Sequence, residues 1–204
     1  MSHIESHFQD CLDGLIHRCA SQRQFFDRIG MRENWNLSIA GNGILLVPYR
    51  HKFVAKYHSW MKDPFLLEST ASEPLSLDEE YEMQRLWRDD PRKCTFIVLA
   101  KPCDEISSEL DCMAGDVNLF MNDRDDKFNA EIEVMIAEPR HRRHGFASEA
   151  LKLMIHYATT QLEMTRFFAK IGAANLASIA LFKRSVAMPS SRQNICSLHT
   201  NCFT

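Results

Sequence analysis

The chain has 204 residues, 45% of them hydrophobic and 25% charged, and a formal net charge of −3. That size suits one domain with a real core, and a composition near the globular average excludes wholesale disorder. Such a balance provides no global attraction to nucleic acid or to a membrane, so an electrostatic site must come from local clustering.

No apolar run approaches a membrane span, and the start Met1-Ser2-His3-Ile4 lacks the basic-then-apolar layout of a secretory signal, so a cytoplasmic protein is expected. Seven cysteines without a CxxC pair fit a reduced compartment. The nine histidines are scattered, and neither HExxH nor zinc-type spacing occurs, so no metal is expected.

In chain order, residues 1–30 place Ile4, Phe8, Leu12, Leu15 and Ile16 at helical spacing, which reads as an N-terminal extension carrying a short amphipathic helix. The run 44–48 reads as a first strand. Residues 49–61 suit a helix with Phe53, Val54, Tyr57 and Trp60 near one face, closed by Asp63-Pro64. Ser76-Leu77-Asp78-Glu79 matches a capping box and opens a helix to about Arg88. Strands follow at 95–100 and 117–121, and the turn-prone 122–126 suits a surface connection between antiparallel strands. A further strand at 131–137, a helix over 146–159, a strand at 166–171 and a helix over 175–184 complete the order. The strand–helix–strand unit implies a parallel pair. Residues 195–204 contain no persuasive strand.

The most informative passage is the junction of the 131–137 strand with the 146–159 helix, through Glu138-Pro139-Arg140-His141-Arg142-Arg143-His144-Gly145. The first amides of a helix lack internal acceptors and carry the positive end of its dipole, so a diphosphate can sit there. Arg140, Arg142 and Arg143 add mobile positive charge, Gly145 admits close backbone approach, and Ala147 keeps the first helical turn slim. An ordinary solvated loop is the alternative for the turn taken alone. A dinucleotide site would need further glycines and a Walker loop would need Gly-Lys-Ser/Thr, and both are absent.

The spacing Arg142-x-x-Gly145-x-Ala147, with the element order, resembles the acyl-CoA loop and fold of the GCN5-related N-acetyltransferase superfamily. The resemblance implies an α/β (α+β) fold, a mixed central sheet flanked by helices, in a domain over 31–184. Relatives close the sheet with two more strands after the last helix. Here 185–204 diverges, so those strands are expected to be missing or altered. The resemblance further implies acetyl-CoA as co-substrate, held by His144 and Phe146 beside Arg142, Arg143, Gly145 and Ala147. It also implies a β-bulge that splays the strand, so that backbone at Met135, Ile136 and Ala137 pairs with pantetheine amides. The thioester carbonyl is then expected to face backbone amides. Asn175-Leu176-Ala177-Ser178 is similar to the superfamily's last conserved helix, which implies pantetheine and diphosphate contacts for Asn175 and Ser178. Helix capping by Asn175 is compatible with that role.

Glu131 and Glu133 point the same way from their strand and are the candidates for general base, either directly or through water. Alternatively they form a polar face, or bind the cationic amine without proton transfer. Phe182 lies in a helix in which many relatives carry a tyrosine acid for the leaving thiolate, and no tyrosine lies nearby. A thiol with a pKa near 8.5 leaves without an obligatory acid. The segments 47–49, 70–75, 93–99, 115–120 and 131–139 resemble one branch of the superfamily, whose substrates are α- and β-tubulin N-termini. That branch implies a protein amine as acceptor. A catalytically silent CoA-binding relative, acting as an interaction module on microtubules, is the second reading.

Overall fold

The computed structural model describes residues 32–102, 108–123, 125–186 and 194–201. The expected N-terminal helix at 1–30 lies outside the described residues. A seven-stranded sheet runs in chain order through β1 (Ile39–Ala40), β2 (Ile44–Pro48), β3 (Lys93–Ala100), β4 (Met113–Phe120), β5 (Asn129–Ile136), β6 (Arg166–Gly172) and β7 (Asn194–Asn201). The first five strands pair antiparallel, and β5–β6 and β6–β7 pair parallel.

Side chains alternate across the sheet and fill two cores. Phe96, Val98, Val117, Leu119, Ala130, Ile132 and Phe167 pack against α5 (Phe146–Gln161), with Phe182 arriving from α6 (Leu176–Val186). On the other face, Ile97, Leu99, Met113 and Met135 meet α1 (Val54–Trp60) and α2 (Pro64–Ser69). The helices α3 (Leu77–Asp89) and α4 (Glu109–Cys112) add Tyr81, Met83, Trp87 and Cys112 to that second core. No helix among the described residues is long and apolar enough to cross a membrane.

Local signals fold as their chemistry requires. Ser76 and Glu79 form the reciprocal capping box of α3. Phe53, Val54, Tyr57 and Trp60 are all buried. The acidic connection between β4 and β5 is held by Asp123, whose carboxylate accepts the amides of Asp125 and Asp126 and the Asn129 side-chain amide. Asp63-Pro64 behaves differently from the expectation of a simple stop. Asp63 accepts the Phe65 amide and caps a new helix with proline in its first turn, a position that needs no N–H donor.

Gly115 shows why one strand position must lack a side chain. A Cβ there would lie 1.8 Å from the Met135 carbonyl oxygen, so any other residue would push β5 away from β4.

Two expectations need correction. The tail does form a strand: β7 pairs parallel to β6 from Arg166↔Asn194 to Gly172↔Asn201. The sheet is thus closed by one altered strand, and extended pairing outweighs the weak local pattern. Cysteine chemistry is also mixed, since the buried Cys94 thiol accepts from the Asn34 side-chain amide whereas Cys112 is disulfide-bonded, unlike the expected reduced set.

Candidate active site

The site begins where β5 and β6 part. Their register holds from Asn129↔Arg166 to Glu131↔Phe168 and ends there, while β5 continues against β4 as far as Gly115↔Ile136. From Ile132 to Ile136 the β6-facing edge of β5 therefore has no strand partner. The β4–β5 register is unbroken from Glu131 to Ile136, so the strands part before the stretch in which the bulge is expected; just beyond it, the Glu138 amide donates to the Ala114 carbonyl (3.1 Å), one residue out of that register. The register shifts fall at Val98/Leu99 and at Phe167/Ala169 instead. Lys170 reaches back across this point to Glu131, with Nζ 2.7 Å from Oε2.

The wedge opens toward the basic turn. Pro139–His141 is a 3-10 turn, after which Arg143 (φ +64°) and Gly145 (φ +84°) both adopt left-handed backbone. Successive conformations of this kind turn amides into a common concavity. Gly145 is the N-cap of α5, no side chain caps that helix, and nothing lies within 4 Å of where a Gly145 Cβ would stand. The first amides of a 16-residue helix are thus left without a side-chain cap. Glu149, one turn on, accepts the Asn42 and Gly43 amides and pins the helix to the β1–β2 turn.

The basic side chains divide by role. Arg142 is not mobile charge: its Nε and Nη2 donate to the carbonyls of Ile136 (3.0 Å) and Ala137 (2.9 Å). It thereby satisfies the end of β5, and it occupies two of the carbonyls assigned to pantetheine. Arg140 donates to the Asp111 carbonyl. Arg143 is exposed, with no hydrogen bond or ion pair among the described residues, and is the free cation of the turn. The His144 ring bonds the Arg142 carbonyl, and the imidazoles of His141 and His144 both lie against Phe146. At the start of α6, the Asn175 carbonyl oxygen Oδ1 accepts the Ser178 amide, so Asn175 caps the helix.

The two carboxylates of β5 have different surroundings. Glu131 is held by Lys170. Glu133 has no hydrogen-bond donor among the described residues, and burial, then the neighbouring Glu131 charge, push its carboxyl up to about 7. It faces a polar row invisible to element-by-element reading. The register aligns Thr95, Asn118 and Glu133 across three strands, with Lys93, Phe120 and Glu131 in the next row. Thr95 Oγ1 donates to Asn118 Oδ1 (2.6 Å), and Asn118 Nδ2 donates to Asp116 Oδ2 (2.8 Å). That oxygen also accepts from Tyr57 (3.1 Å). Burial raises the Asp116 carboxyl above the ordinary carboxylate range. The signal was present as three i, i+2 polar pairs, Lys93/Thr95, Asp116/Asn118 and Glu131/Glu133, in otherwise apolar strands. Only their alignment makes them one network.

Known proteins place this architecture. The model of the family described as Acetyltransferase (GNAT) domain matches residues 44–185. An N-acetyltransferase 9-like protein of Nematostella vectensis is 51% identical over 156 residues, covering 76% of this chain and 79% of the relative. The Alpha/beta-tubulin-N-acetyltransferase 9 of Mus musculus is 46% identical over 175 residues, covering 81% of this chain and 71% of the relative. Among solved structures, a spermidine N-acetyltransferase from Vibrio cholerae in complex with CoA and spermine aligns with a TM-score of 0.58 and 20% identity, over 70% of this chain and 79% of that one.

Proposed function

Because the chain belongs to the GNAT acetyltransferase family, we propose that it transfers acetyl from acetyl-CoA to a protein α-amine in the cytoplasm, with an α/β-tubulin N-terminus as substrate. Residues 31–184 form the acting domain, preceded by an extension over 1–30 and followed by a divergent tail over 185–204. The tubulin assignment rests on the names of relatives such as the mouse protein. The single observation that carries catalysis is Glu133, an undonated carboxylate beside the mouth of the β5–β6 wedge.

The residues present fit acetyl-CoA. The unpartnered β5 edge beside Met135 and Ile136 suits the amides of an extended pantetheine arm. The uncapped helix start at Gly145, Phe146 and Ala147, with Arg143 free beside it, suits a diphosphate. Arg142 holds the ends of β5, Ala137 included, in place, while His144 braces Phe146. Asn175 and Ser178 shape the opposite lip by fixing the start of α6. When bound, acetyl-CoA supplies an acetyl thioester to an attacking amine.

The chain's own task is to deliver that amine as the free base. At pH 7 an α-amine of pKa about 8 needs ~1.4 kcal/mol for this, whereas a lysine at about 10.4 needs ~4.6 kcal/mol. A carboxylate titrating near 7 is therefore matched to an N-terminal amine. Glu133 accepts the proton, and Glu131, neutralised by Lys170, holds the last paired register from which the wedge opens.

The test is intact-mass acetylation of a tubulin N-terminal peptide by acetyl-CoA, comparing the wild type with Glu133→Gln. The wild-type rate should rise with pH through a limb near 7, since the base is the ionised form. The variant should lose roughly 10²-fold in rate and the limb with it. An unchanged profile would remove Glu133 as base. Acetyl-CoA binding without any transfer would favour the silent interaction module.

A further inference from the structure

Lys93 is a lysine at the start of β3 that is only 4% exposed. Its Nζ has no hydrogen-bond partner among the described residues and lies 3.4 Å from the centroid of the Trp87 ring and 3.7 Å from that of Phe120. Two aromatic faces offset part of the cost of burying an ammonium, but an apolar side chain of similar length would fill the same slot without that cost. The charge therefore needs a reason beyond packing.

The neighbouring charges supply one. Asp116 faces Lys93 from β4 and Glu133 from β5, with Asp90 and Cys94 beside the lysine in the chain, while Glu131 and Lys170 act on Glu133. Asp116 already receives the Tyr57 hydroxyl and the Asn118 amide. Lys170 is taken by Glu131. What is left is one acid without a donor, Glu133, and one ammonium without an acceptor, Lys93, on the same face of the sheet and in adjacent rows of the β3–β4–β5 register.

We propose that Lys93 is a positioning residue for the transfer reaction, whose ammonium, caged between Trp87 and Phe120, supplies the fixed positive charge that lets Glu133 serve as the base. The inference rests on Glu133 being that base. The cage holds the charge at a set distance without forming a contact that would block the carboxylate, as a direct ion pair does at Glu131. Burial pushes the Lys93 ammonium down, against the opposing pull of Asp116 and Glu133, and pushes the Glu133 carboxyl up. A protonated Glu133 cannot accept a proton, and a neutral Lys93 exerts no pull on Glu133.

The experiment follows the Glu133 carboxyl by carbon NMR over a pH series in the full chain without acetyl-CoA, its signal identified by loss in Glu133→Gln. Lys93→Met should move the Glu133 midpoint up by about one pH unit and shift the pH limb of acetyl transfer with it, while Lys93→Arg should restore both. A midpoint unmoved in folded Lys93→Met overturns the inference while leaving Glu133 as base. A wild-type midpoint near 4.5 overturns the base reading itself, and the role of Lys93 with it. A reciprocal measurement does not depend on how Lys93→Met folds: nitrogen NMR of the Lys93 ammonium should show a lower midpoint in Glu133→Gln than in the wild type. An identical midpoint in the two overturns the inference.

Discussion

Single residues in this protein take their chemistry from what surrounds them, and its buried acids show this most clearly. Glu80, on α3, is 1% exposed, with one carboxylate oxygen unpartnered and the other 3.8 Å from His58 Nδ1. Burial pushes its carboxyl up to about 7. A carboxyl raised above its unfolded value of about 4.5 binds its proton more tightly in the native state. Stability therefore falls as pH rises from about 4.5 to about 7 and stays lower above that. Glu80→Gln should accordingly raise the melting temperature at pH 8, by an amount equivalent to about 2–3 kcal/mol, and change it little at pH 5. Equal melting at both pH values would show that Glu80 ionises freely. The same reasoning separates Glu131 from Glu133. The two are identical in the sequence and two residues apart, yet one is paired and the other is not.

Among the elements, the helix start at Gly145 is where local sequence and the proposed function coincide. Left-handed backbone at that position costs any other residue about 1 kcal/mol, so both Gly145→Ala and Gly145→Glu should be slightly less stable. Only the glutamate adds bulk and negative charge where a diphosphate would accept the helix amides. Gly145→Glu should abolish the thermal shift produced by acetyl-CoA, and Gly145→Ala should retain most of it. A full shift in the glutamate variant would place the cofactor elsewhere. Two helix starts were readable because they depend on residues within one turn: Ser76 with Glu79 and Asn175 with Ser178 each bond within three positions, whereas the Asp63 cap on Phe65 was legible only as a stop. Helix α3 was readable in extent but not in orientation. It buries Glu80 and Gln84 and leaves Leu77 and Leu86 exposed, because Gln84 satisfies the Tyr49 carbonyl 35 residues away.

Across the whole molecule, the sheet's two ends behave differently. The β5–β6 wedge, the Gly145 turn and the Lys93–Glu133 network are built from residues before 187, whereas β7 covers the outer edge of β6. A chain ending at residue 186 should melt at least about 5 °C lower, since it loses a strand and exposes an edge, yet should keep its thermal shift with acetyl-CoA. Loss of the shift in a folded truncated chain would show that β7 takes part in cofactor binding. Apart from the short helices Pro64–Ser69 and Glu109–Cys112 and the start of β4, the sequence by itself determined the order and approximate bounds of the elements from β2 to α6 and the basic turn between β5 and α5. These follow from periodicity, caps and glycine over a few residues. Only the tertiary structure decided that β5 parts from β6 as early as Glu131, that Arg142 closes the strand end instead of ranging free, and that the tail adds a parallel strand. It also decided which of the two glutamates is unpaired. Charge, hydrogen bonding and strand pairing there depend on partners tens of residues away, which sequence spacing does not encode and the sheet register brings together.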